Sequence, residues 1–231
     1  MKKTGFGFKQ VIAALLYFLG LPALLILVGG DARWWQAWAY IAISIFFTIV
    51  SRVLIAKFHP DLIAERAQYQ DHRDTKSWDR LLAPISAFLL PLVYLIVAGL
   101  DWRFGWSPSL PMGITIAAML LIIGAYAFTT WAMVVNRFFS ANVRIQHDRG
   151  HFVIEDGPYR FVRHPGYAGG LLVVLLLPLM LNTLWAYLPI LFFVVVVLVR
   201  TAKEDKALVD ELPGYAAYTT RTKYRIFPGV W

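Results

Sequence analysis

No cysteine occurs in the 231 residues, which excludes disulfides, thiolate metal sites, iron–sulfur clusters and a cysteine nucleophile. Charge is scarce as well: Asp, Glu, Lys and Arg make up 16% of the chain against 59% hydrophobic residues. With a mean hydropathy of +0.59, so few charges cannot cover a water-soluble surface. A polytopic membrane protein is the class that remains, and the length allows one helical bundle rather than two membrane domains. No internal repeat or low-complexity segment is present. The net charge of +8 would point to nucleic acid in a soluble chain; in a membrane chain it reports orientation instead, and no nucleic-acid partner is expected.

About 20 apolar residues cross a bilayer as a helix. Residues 10–29, 34–56, 82–100 and 111–135 each meet that length. The run 167–199 would be about 50 Å long as one helix, so it must break. Its one strongly polar pair, Asn182-Thr183, lies between Pro178 and Pro189 and predicts a helical hairpin. The fold class expected is therefore an all-α polytopic bundle of about six transmembrane helices, the last two a hairpin. Of the 22 lysines and arginines, all but Arg33 and Arg103 then fall on one side, which makes both termini cytoplasmic. The first apolar segment reads as a retained helix, being too long for a signal-peptide core and lacking a small-residue cleavage site.

Three cytoplasmic segments, 57–81, 136–166 and 200–231, are too long to be mere connectors. The first opens on Pro60, Asp61 and Leu62, either an interfacial amphipathic helix or a solvated connector. The second contains Gln146, His147 and His151 and ends Arg163-His164-Pro165-Gly166-Tyr167, followed by Gly169 and Gly170. Pro165 suits a helix start, whose free N–H groups can hold a carboxylate. The glycines allow a ligand to approach the backbone, or equally a neighbouring helix, with Arg163 then an interfacial anchor. The third carries Arg200 and Glu204 on one helical face and Thr201 and Asp205 on another. An ion pair between Arg200 and Glu204 would need no function to explain it. Tyr215, Tyr218 and an Arg225-x-x-Pro228 close the chain. His147 and His151 have a metal-like spacing, but Gly150 interrupts it and no carboxylate completes the set, so no metal is expected.

In this order, R-H-P-G-Y, an apolar hairpin with Leu-Asn at its turn, R-x-x-x-E-D, P-G-Y-x-x-Y and R-x-x-P resemble the isoprenylcysteine carboxyl methyltransferase family, integral membrane enzymes related to phospholipid methyltransferases. The resemblance covers 136–231, and more loosely Pro60 to Arg66 and Trp78-Asp79. It implies S-adenosylmethionine as methyl donor in a cytoplasmic pocket between the R-H-P segment and the C-terminal helix. The family usually has two glutamates where this chain has Glu204-Asp205, so the second side chain has a shorter reach.

On that resemblance, residues 1–135 form a four-helix membrane region with the loop 57–81, and 136–231 the catalytic region of one integrated domain. The donor-binding set is Gln146, His147, Arg163, His164, Pro165, Tyr167, Gly169, Glu204, Asp205 and Tyr218. Arg163 or the helix start meets the donor carboxylate, Glu204 or Asp205 its ammonium or ribose, and Tyr167 and Tyr218 its adenine or sulfonium. Arg200, Glu204 and Arg225 form the catalytic set, the arginines holding an anionic head group. The acceptor enters from the bilayer, either a prenylated or other lipophilic carboxylate or a lipid amine, with membrane lipids as the surrounding partners. A bacterial inner membrane is the implied location. Two other classes stay open: a nicotinamide-dependent sterol-type reductase with a similar C-terminal hairpin, and a small transporter, disfavoured because no ionisable residue interrupts a span.

Overall fold

A computed structural model describes residues 20–67 and 74–231. Helices dominate, and no strand occurs among the described residues. In chain order they are α1 (Leu21–Gly29), α2 (Trp35–Phe58), the short α3 (Pro60–Ala67), α4 (Asp79–Phe104), α5 (Met112–Val135), α6 (Pro165–Leu181), α7 (Tyr187–Glu211) and α8 (Tyr215–Arg221). Four stretches are long and apolar enough to cross a membrane: Trp35–Phe58, Asp79–Phe104, Met112–Val135 and Leu184–Glu211. At 17 residues α6 is a shorter apolar helix. Most of the first span expected at 10–29 lies outside the described residues, of which α1 is the visible end. Six spans are therefore not established.

Local chemistry explains the breaks. Pro84 removes one backbone donor from α4, and the ladder loosens into a π turn over Ile85–Leu89 before α-helix resumes. The expected hairpin turns at Asn182, which adopts φ 60° and caps α6 on the carbonyl of Pro178. Asn182 Oδ1 accepts the N–H of Leu110 at 3.0 Å, and Asp101 accepts the N–H of Trp185 at 2.9 Å and the Ser107 hydroxyl at 2.7 Å. One end of the bundle is thereby tied. Arg33 and Arg103 lie at that end, and the other described lysines and arginines lie at or near the opposite one.

The core runs between the helices. Trp34 stacks on Trp102 with centroids 4.6 Å apart, and α5 packs along α6 more extensively than any other pair. Gly169 makes that closeness possible: a Cβ there would lie 2.0 Å from Thr129 Oγ1 and 2.9 Å from the Ala125 carbonyl. The outward face of α7 exposes Leu188, Leu191, Phe192, Val195 and Val199, as a lipid-facing helix does.

Candidate active site

At the basic end, the start of α6, the polar end of α7, α8 and the tail meet around Asp205. α7 continues helically past its apolar run, so Arg200, Glu204 and Asp205 project from a rigid element. The side chain of Asp205 is 4% exposed. It accepts Arg163 Nε at 2.8 Å and Nη2 at 2.9 Å, Arg225 Nε at 2.8 Å, Tyr215 Oη at 3.1 Å and His164 Nε2 at 3.1 Å. A buried carboxylate with two guanidiniums is stable only when its lone pairs are filled in this way. The shorter side chain at position 205 is met by donors that close in on it.

Arg163 fixes the tail as well. Its Nη1 donates to the carbonyls of Thr222 and Lys223 at 2.9 and 2.7 Å, while the backbone N–H groups of Arg163 and His164 donate to the carbonyls of Tyr224 and Arg225. Burial alone would lower the Arg163 pKa, but its bonds to Asp205 outweigh that and hold it above its ordinary value. The sequence offered Arg163 or the helix start for a donor carboxylate. All three Arg163 nitrogens are engaged within the chain, which leaves the helix start the freer of the two.

Arg200 requires a second correction. It is 9% exposed and pairs with Asp79 rather than Glu204, Nε to Oδ1 at 2.6 Å, with Nη2 also donating to the Ala141 carbonyl at 2.8 Å. Asp79, fully buried at the start of α4, also accepts the N–H of Val143 at 2.7 Å. Arg200 thus clamps three segments together, and its guanidinium covers one face of Tyr167 at 5.6 Å. Gly169 is likewise accounted for by α5, and the neighbouring Gly166 by Phe139, whose ring would lie 2.6 Å from an added Cβ. Tyr218 is 1% exposed, gives its hydroxyl to the Tyr159 carbonyl at 2.6 Å and stands edge-on to Tyr215. It packs the tail.

Glu204 is different. Its side chain is 25% exposed, accepts the Tyr167 hydroxyl at 2.6 Å and lies 4.0 Å from His164 Nδ1. At this end of the bundle every other described carboxylate has an arginine or lysine partner, and Glu204 has none. Arg225, at 34% side-chain exposure, reaches Asp205 with one edge and covers the Trp231 ring at 4.9 Å. The accessible polar groups beside the start of α6 are therefore Glu204, Tyr167 and Arg225.

Gln146 and His147 lie in the preceding loop. Gln146 is buried, donates to the Phe138 carbonyl at 2.8 Å and also bonds Arg149. Its N–H is held by His151 Nδ1 at 3.3 Å. Burial and then the surrounding cations push the His151 pKa down to about 4, consistent with a ring nitrogen that accepts. His147 is exposed on a 3-10 turn over His147–Arg149. No hydrogen bond among the described residues joins either residue to the Asp205 cluster.

Sequence reasoning missed a buried hub, Arg144, which holds Glu65, Asp74 and Asp148 at 2.8–2.9 Å. It also missed the bond from Tyr215 to Asp205. Spacing on one helix cannot reveal partners 79 or 10 positions away, although a lone Asp79 at the head of an apolar span was a legible sign of burial.

No curated protein matches the chain. The family model described as Isoprenylcysteine carboxyl methyltransferase (ICMT) family matches residues 117–210, the stretch from α5 through the α6–α7 hairpin to the Glu204-Asp205 end of α7. Over those residues the chain is similar to the isoprenylcysteine carboxyl methyltransferase family.

Proposed function

We propose that the protein transfers a methyl group from S-adenosylmethionine to a lipophilic acceptor at the membrane surface, most favourably an isoprenylcysteine-type carboxylate. The observation that carries this reading is Glu204, a part-exposed carboxylate beside a helix start with which no described arginine or lysine pairs. That is where a ligand bearing positive charge gains most. The residues fit the donor: Glu204 suits its ammonium or ribose hydroxyls, and the exposed edge of Arg225 and the start of α6 suit its carboxylate, with Tyr167 beside Glu204. Bound there, S-adenosylmethionine supplies an electrophilic methyl on a positively charged sulfur. Asp205, Arg163, Arg200 and Tyr218 act at one remove, fixing the elements that carry those three groups.

Methyl transfer is an in-line displacement, so the chain contributes alignment and exclusion of water. A carboxylate oxygen forms the new bond to carbon, the electron pair of the broken carbon–sulfur bond stays on sulfur, and no proton moves. A lipid amine would first have to lose a proton, a task that falls to His164 or Glu204. The concentration of basic residues at the site's end supports a cytoplasmic site with both termini on that side.

Titration of the purified protein with S-adenosylhomocysteine and with NADPH tests the reading. Binding of the former alone is expected, weakened roughly ten- to a hundredfold by Glu204→Gln through loss of a charge-assisted contact. Normal affinity in the folded variant, or preference for NADPH, would overturn it.

A further inference from the structure

Positive charges at the basic end follow a similar pattern of pairing. Arg144, Arg163 and Arg200 are buried and each holds a carboxylate. Arg66, in the last turn of α3, holds none among the described residues. It is half-buried, its Nε donates to the Phe139 carbonyl at 3.0 Å, and its guanidinium lies over the Phe139 ring at 5.3 Å. Among the described residues no carboxylate pairs with it. Burial and the nearby charge of Arg52, from the last two turns of α2, push the Arg66 pKa down to about 10. A guanidinium does not relieve such a conflict by losing its proton near neutral pH; an anion relieves it.

Phe139 connects this cation to the donor site. Its ring edge fills the space left by Gly166, the second residue of α6, so Phe139 lies against both Arg66 and the turn that carries Tyr167. Glu204, with which no described arginine or lysine pairs, accepts the Tyr167 hydroxyl of that turn. A cationic donor and an anionic acceptor thus have complementary charges near the α6 start. The Nη1 and Nη2 groups of Arg66, which bond no described residue, form the planar fork that matches a carboxylate.

We propose that Arg66, with Arg52 beside it, holds the carboxylate of the methyl acceptor next to the start of α6. This rests on the methyl-transfer reading above. The held carboxylate oxygen forms the bond to the methyl carbon, the carbon–sulfur electron pair goes to sulfur, and the product is a neutral ester. Having lost its charge, the ester is held less tightly, so Arg66 distinguishes acceptor from product.

The test compares binding of N-acetyl-farnesylcysteine and its methyl ester to protein in phosphatidylcholine nanodiscs, in wild type, Arg66→Lys and Arg66→Gln. S-adenosylhomocysteine is titrated alongside. Wild type is expected to prefer the acid roughly ten- to a hundredfold; Arg66→Gln removes the preference, Arg66→Lys keeps part of it, and both bind S-adenosylhomocysteine as wild type does. An Arg66→Gln variant that still prefers the acid overturns the proposal. A second arm adds phosphatidylglycerol: if this lipid raises thermal stability only when Arg66 is present, while preference for the acid survives its loss, Arg66 serves a lipid phosphate and the proposal fails. Absence of S-adenosylhomocysteine binding in wild type would instead defeat the methyltransferase reading, and the acid–ester comparison at Arg66 is read regardless.

Discussion

Asp205 shows how much one carboxylate can organise. Two arginines, a histidine and a tyrosine from three segments converge on it, and the tail has no comparable charged anchor. Replacing it by asparagine leaves Arg163 and Arg225 buried or half-buried without their counter-charge, a loss of about 3–5 kcal/mol for a broken buried pair. Thermal unfolding in detergent should rank wild type above Asp205→Glu and Asp205→Glu above Asp205→Asn, since the longer acid keeps the charge and disturbs only the fit. An Asp205→Asn protein as stable as wild type would show that the cluster is incidental. The chemistry of this residue was only half legible. The R-H-P and E-D motifs identified the participants, but whether Asp205 faced a ligand or Arg163 depended on tail residues 20 positions further on. Arg200 is the clearest case, because its partner Asp79 lies 121 positions away and Glu204, four residues along the same helix, was the nearer candidate.

Among elements, the α5–α6 pair positions the site, since α6 presents His164 and Tyr167 at its start and can do so only where α5 lets it lie. Neighbouring glycines separate packing from propensity. A methyl group at Gly169 would lie against Thr129 and the Ala125 backbone, whereas one at Gly170 meets nothing within 4 Å. Gly169→Ala should therefore cost about 1–3 kcal/mol and Gly170→Ala should be neutral or stabilise by up to about 1 kcal/mol. Equal effects in a melting comparison would show that α5 and α6 are not in close contact. Sequence alone left open whether a ligand or a helix approached these glycines, because either one needs the same missing side chain. The hairpin was more legible: Asn182 could be read from the length of the apolar run and tolerates the left-handed conformation found there. Helix count was less legible, because α6 is a shorter apolar helix than the four span-length ones and most of 10–29 lies outside the described residues.

Across the whole molecule, polar chemistry divides between two ends. One is closed by neutral donors on Asp101 and by Asn182; the other carries paired arginines and, among them, Glu204 and Arg66 near the α6 start. A cationic donor reaching Glu204 from water and an amphiphilic anion reaching Arg66 from the bilayer would meet there. The decisive measurement is methyl transfer from S-adenosylmethionine by the purified protein, assayed in parallel with N-acetyl-farnesylcysteine and with phosphatidylethanolamine. Transfer to the farnesylated carboxylate, lost in Glu204→Gln and impaired in Arg66→Gln, is the expected result. Transfer to the lipid amine alone, rising steeply with pH as the amine deprotonates, would contradict the carboxylate acceptor, and no transfer to either would contradict the assigned chemistry itself.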